Sequence, residues 1–352
     1  MSDKMVSFRD YLRECLNPLR SQLGSRFQGP DYLTEVILMM ASYQEEGTDL
    51  FPVVFMADSM DHFKNHLGAR EMVLVGEGQP CRETFIRAFK LCAPLAEDRL
   101  WAVYILLEEQ GVRYGIFRSD SSPLSPSVFE RLRGLKAPGT SIVGLTRLGG
   151  NFVEIRTSLG QHKYVNVASS DEDDYHPGQV IRDFVDSVCS DVSDSVRPLL
   201  KSFYQRFGMD VLHGSHGSLI AIIRKGEKIP EILQDGVPLN PPISIVASIE
   251  GIINGSDDRD AYLRLFSYGQ LLRKLTWMDG ITILDTEGCI LAFNCFIKTS
   301  AYRAEDSIIG GARRRAYGHM QTNVPGILAG CLYKSQDGHI EFKGDRCGLR
   351  SS

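Results

Sequence analysis

The tightest constraint in this chain is a helix that has to stop on Asp279-Gly280 and hand over at once to a strand. Ahead of that point Leu265, Tyr268, Leu272 and Leu275 recur at helical spacing, which gives the stretch ending near Trp277 one apolar face. Ser256-Asp257-Asp258 stands where that helix should begin and places acids at its positive end. Beyond the break, Ile281 to Leu284 is a short apolar run with the composition of a buried strand. Gly280 between the two can take φ values closed to other residues and lets another group approach the backbone. Asp285-Thr286-Glu287-Gly288 then turns the chain, and Cys289 to Phe293 returns it.

The rest of the chain reads as mixed α/β. Its 352 residues allow two domains of ordinary size. Phe8, Tyr11, Leu12 and Cys15, then Tyr32, Val36, Leu38 and Met39, mark two helices in an N-terminal segment 1–48, punctuated by Pro18 and Gly29-Pro30. From residue 49 strands and helices alternate. Strands are expected at 51–56 and 71–76, helices at 60–68 and 81–91, a hairpin at 100–107 with 112–117, another at 142–145 with 152–155, and a third strand at 162–167. A long amphipathic helical stretch over 178–208, broken near Pro198, closes this α/β domain, with the junction placed at 207/208. In the last domain, Val211 to Ile223 reads as a glycine-rich approach, through His213-Gly214-Ser215-His216-Gly217, to a buried strand. Leu233–Leu239 is expected as a turn and short strand, and Ser244–Ser248 as a further piece of sheet. The fold class is therefore α/β (α+β): a C-terminal domain, 208–352, with a mixed central sheet flanked by helices, preceded by a separate α/β domain with N-terminal helices.

Composition narrows the function. A formal charge of 39 − 44 = −5 argues against a general nucleic-acid binder. The eight cysteines show no paired CxxC spacing, and several fall in apolar runs, as Cys289 and Cys331 do. Reduced core thiols in a cytoplasmic protein fit that usage better than a disulfide frame. The longest apolar run near the N-terminus, Val36 to Ala41, is too short to cross a membrane. The acidic run Asp171 to Asp174 lacks the alternation, glycine and distal glutamate of a calcium loop and reads as a solvated loop. Gly76-Glu77-Gly78 lacks a third glycine and any GK[ST], so it reads as a turn. His213 and His216, three apart in a loop, suit the lining of a pocket better than a metal site.

The chemistry concentrates at two places. One is Asp279-Gly280. The other is Gly310-Gly311-Ala312-Arg313-Arg314-Arg315, where a loop should become a helix. A carboxylate able to hold Mg2+, facing a helix start crowded with guanidinium groups, is suited to polyphosphate. Adjacent arginines more often mark an exposed face, and on a helix three of them fan through about 200°, so all three cannot reach one ligand.

Together, Leu275-Thr276-Trp277-Met278-Asp279-Gly280-Ile281 and Gly311-Ala312-Arg313-Arg314-Arg315-Ala316 resemble the diadenylate cyclase domain of the DNA-integrity scanning cyclases. That family carries an "MDGA" motif at a helix-to-strand turn and a "GTRHRAA" motif at a helix start. The likeness covers about the last two-fifths of the chain, from near Leu212. It implies Asp279 as the metal-holding and catalytic residue. It implies a nucleotide site made by Gly217, Ser218, Gly280, Ile281, Gly311, Ala312, Arg313 and Arg315. Mg2+ or Mn2+ would accompany ATP or a cyclic (di)nucleotide, and the family's face-to-face arrangement leaves room for a homodimer through this domain.

The departures are specific. Ile281 replaces the alanine after Asp-Gly, Ala312 the threonine before the basic triplet and Arg314 its histidine, while Gln321-Thr322-Asn323 stands where many members carry an acidic turn. Four changes around one site should harm turnover more than binding. The sequence therefore reads first as a sensor-type member that binds a nucleotide. A working diadenylate cyclase, releasing pyrophosphate from two ATP, is the alternative, and RNA binding through the arginines is a third reading.

Overall fold

The computed structural model describes residues 8–28, 31–96, 100–119, 122–133, 135–149, 151–168, 176–214, 216–255, 259–298 and 311–345. Among these are ten α-helices and two mixed seven-stranded sheets flanked by helices, an α+β architecture. The chain divides into two compact units, Met1–Ser121 with Pro126–Tyr175, and Ser122–Ser125 with His176–Ser352. The acidic run and the cap at 256–258 lie outside the described residues.

In the first unit the sheet runs Ala69–Gly78, Val112–Ser119, Trp101–Leu107, Val53–Ala57, Ile142–Gly149, Phe152–Thr157, His162–Asn166. Only Val53–Ala57 and Trp101–Leu107 pair in parallel. Alternation along Val53–Ala57 sends Val54 and Met56 into one core and Phe55 and Ala57 into another, on opposite faces. Leu12, Leu16, Val36, Ile37 and Met40 of the helices Phe8–Arg20 and Tyr32–Ser42 share the first of these cores. The N-terminal helices are thus a layer of this unit and not a segment of their own.

The second unit begins at 176, ahead of the junction expected at 208. The reason is where the helical stretch buries its stripe. It is broken between Pro177–Val188 and Arg197–His213, and Pro198 lies in the first turn of the second helix instead of kinking its middle. Phe184 packs edge-on to Phe342 at 6.1 Å, and the Tyr204 hydroxyl donates to Gly288 O at 2.8 Å. Both helices therefore cover the C-terminal sheet.

That sheet runs Leu233–Gln234, Cys289–Ile297, Ile281–Asp285, Ser218–Ile223, Gly330–Lys334, Ile340–Gly344, with Val237–Ser244 also paired to Cys289–Ile297. Its one parallel pair is Ser218–Ile223 with Ile281–Asp285, in the register Leu219 to Ile281. Parallel neighbours need a crossover, and here it carries two helices, Ile245–Ile253 and Arg259–Trp277. The segment 245–248, expected as sheet, opens the first of them. Ser244 is the cap, its hydroxyl oxygen accepting from Ala247 N at 3.0 Å, and that local bond outweighs the β-branched composition that follows.

Ser244→Ala should therefore lower stability in urea by about 1 kcal/mol, while Ser244→Asp should leave it nearly unchanged.

Candidate functional site

The parallel register sets the site. Since Leu219 pairs with Ile281, the entries to both strands, Gly217-Ser218 and Asp279-Gly280, lie side by side at one end of the sheet. Ser218 also pairs with Lys334, so the end of the Gly330–Lys334 strand arrives at the same place. This is the amino end of the parallel pair, whereas open α/β sheets ordinarily bind ligands at the carboxyl end.

Gly280 has φ +94°, and a Cβ on it would stand 2.9 Å from the Asn294 backbone and from Cys295 O. Only glycine fits so close an approach at that φ. The turn it makes leaves the Asp279 carboxylate 86% exposed. The helix Ala312–Thr322 starts at Gly311, which has no side chain to cap it, and among the described residues nothing lies within 4 Å of where a Gly311 Cβ would be. From its second residue the Arg313 guanidinium reaches across to Asp279, Nη2 to Oδ1 at 2.6 Å, joining positions 34 apart in sequence. Gly217 walls the same arginine: a Cβ there would lie 3.3 Å from Arg313 Cδ and 3.6 Å from Nε. Asp279, Gly280, Gly217, Gly311, Ala312 and Arg313 therefore surround one exposed place.

The three remaining candidates stand differently. The Ser218 hydroxyl is buried and donates to Thr276 O at 3.0 Å, tying the strand to the end of the preceding helix. Ile281 is 1% exposed and packs in the core with Leu219, Ile283 and Tyr317. Arg315 is exposed and starts about 200° round the helix from Arg313, whose guanidinium bonds Asp279.

The other departures have structural uses. Arg314 pairs with Glu341, which also bonds His339, and lies over the Tyr317 and Tyr333 rings, with 5.7 and 5.4 Å to the centroids. The Thr322 hydroxyl and the Asn323 amide each donate to His319 O at 2.8 Å, closing the helix where an acidic turn was sought.

One residue escaped the sequence reading. Lys334 is 1% exposed, and its ammonium donates to Gly214 O and, at 3.1 Å, to His216 O. Burial holds its pKa down at about 8, with Asp337 opposing the shift. A lysine ending a strand before a Ser-Gln-Asp-Gly turn carries no signal of this in sequence, because the acceptors are carbonyls 120 and 118 residues away. On the other side of that glycine-rich approach, His216 faces the Trp277 ring at 5.7 Å, and Arg273 covers the same indole at 4.6 Å.

Among the described residues no group of three His, Cys, Asp or Glu side chains is placed to hold a metal. No helix of the described residues is long and apolar enough to cross a membrane. Comparison with family models, curated proteins and solved structures finds no match.

Two outcomes follow from this geometry. Gly280→Ala should cost about 2 kcal/mol or more in urea unfolding, from the φ and the backbone overlap together. Lys334 should make stability rise with pH, because from about pH 8 upward the folded protein sheds a proton that an unfolded lysine keeps to about 10.5. The stability of the wild type should therefore climb relative to Lys334→Met across that window and not below it.

Proposed function

We propose that the C-terminal unit binds a nucleotide polyphosphate, ATP or a cyclic dinucleotide, as a divergent diadenylate-cyclase-like sensor. The observation that carries this reading is the meeting of Asp279 with Arg313 beside Gly217, at the start of the helix Ala312–Thr322. A guanidinium and the backbone N–H groups of a helix start are donors of the kind a phosphate takes. At Gly311 nothing among the described residues stands where a Cβ would be.

The donor set also says what kind of metal use fits. Mg2+ at nucleotide sites takes one or two carboxylates and completes its shell with phosphate oxygens and water. Asp279, exposed and in no metal-holding group of three among the described residues, suits Mg2+ or Mn2+ that arrives with the ligand, and such a cation neutralises phosphate charge. Arg313 would exchange its bond to Asp279 for one to a phosphate, which leaves the carboxylate free for the cation.

Binding is favoured over cyclisation on the same grounds. Arg314 is committed to Glu341, Thr322 and Asn323 to the helix end, and Asp279 belongs to no metal-holding group of three among the described residues. In-line phosphoryl chemistry depends on positioned charge.

ATP with Mg2+, or cyclic di-AMP, should raise the melting temperature, corresponding to about 2.7 kcal/mol at a hundredfold excess over Kd. Arg313→Ala should abolish the shift, and Asp279→Asn should remove its dependence on Mg2+. Absence of a shift with either ligand, or a shift indifferent to both substitutions, would sink the reading. Release of pyrophosphate and a cyclic dinucleotide would replace the sensor with an active cyclase.

A further inference from the structure

Burying an ammonium is costly unless acceptors surround it, and for Lys334 those acceptors are backbone carbonyls. No carboxylate among the described residues forms an ion pair with it. Gly214 O and His216 O are its partners, so the approach to the Ser218–Ile223 strand cannot swing outward without stranding the charge. The main chain of the same residue braces the approach again: Lys334 O lies 3.1 Å from the place a Gly217 Cβ would take. Arg313 borders that place from the other side, its Cδ at 3.3 Å. Gly217 is thus confined between Lys334 and Arg313. Gly214, at the far end of the approach, lies close under Trp277, with 3.1 Å from its missing Cβ to the indole Nε1.

We propose that Lys334 is a positioning residue for the Asp279–Arg313 site: its ammonium gathers the Gly214, His216 and Gly217 backbone so that Gly217 walls the Arg313 side chain and holds the guanidinium at Asp279. The ligand readout below rests on the polyphosphate reading; the positioning itself does not. Lys334 touches no ligand in this account. It acts through the backbone it holds, which is why a side chain pointing into the protein governs a site on the surface.

Trp277 reports on that backbone, and the chain has only one other tryptophan, Trp101. In a Trp101→Phe background Trp277 emission can be read alone, with and without Mg-ATP. Lys334→Met should shift that emission to the red, increase its quenching by acrylamide and weaken Mg-ATP at least tenfold. Lys334→Arg, which can still donate to two carbonyls, should restore both readouts in large part. Gly217→Ala should weaken Mg-ATP by a similar factor from the other side of the contact. A folded Lys334→Met protein with the parent's emission and the parent's affinity would overturn the proposal. Weaker Mg-ATP with unmoved emission would overturn it too, in favour of a direct charge effect. If the parent binds no Mg-ATP yet Lys334→Met moves the emission and Lys334→Arg returns it, the positioning stands and the polyphosphate reading fails. Should Lys334→Met not fold, Gly217→Ala decides: undiminished Mg-ATP binding in that variant overturns the proposal.

Discussion

The second unit depends on one pairing, the parallel register of Ser218–Ile223 with Ile281–Asp285. Parallel strands cannot be joined by a turn, so the chain must leave the sheet, cross over it and return at the same end. The crossover here returns through the 19-residue helix Arg259–Trp277. Its last turn delivers Asp279 beside Gly217, and Ser218 fastens the arrangement by donating its hydroxyl to Thr276 O. Every residue of the candidate site inherits its place from that return. The antiparallel neighbour Gly330–Lys334 brings the buried ammonium, and the helix Ala312–Thr322 brings the guanidinium.

The arginine triplet shows how adjacent residues of one type part company. Helical geometry turns each by about 100° from the last. Arg313 meets an exposed carboxylate, Arg314 meets Glu341 over two tyrosine rings, and Arg315 remains exposed. The bond of Arg313 to Asp279 is a surface ion pair, worth about 0–1 kcal/mol, weak enough to be exchanged for a ligand. Arg314 is held by an ion pair and two ring faces at once, so it serves the fold. A triplet that looks like a single basic patch in sequence therefore divides into one arginine at an exposed carboxylate and one held against the fold.

The two units treat buried charge differently. In the first, Arg156 is nearly inaccessible and pairs with Glu154 and Glu130, and Glu154 also accepts from His162. Burial pushes the Glu154 carboxyl up, but His162 and Arg156 outweigh it and hold the group below the usual range. That network pairs its guanidinium with two carboxylates. Lys334 in the second unit has no ion-pair partner among the described residues: neutral carbonyls accept from its ammonium, and Asp337 acts on it only through its charge.

Much of this was written locally in the chain. Apolar periodicity located most helices and strands, though not the helices Val128–Arg131 and Ile245–Ile253 or the strands Gly330–Lys334 and Ile340–Gly344, and the glycines at 280 and 311 marked where the chain must turn, because period, caps and φ restrictions act over a few residues. The exceptions were local contests too close to judge from composition, such as Ser244, where one capping bond makes a helix of a segment rich in β-branched residues. What the tertiary structure alone decided is which distant groups meet. Arg313 finds Asp279 across 34 positions, and Lys334 finds Gly214 across 120, because the crossover and the sheet register bring those backbones to one edge. The first was expected from the two motifs taken together, while the second leaves no trace in the residues around it, because a carbonyl acceptor has no side-chain identity.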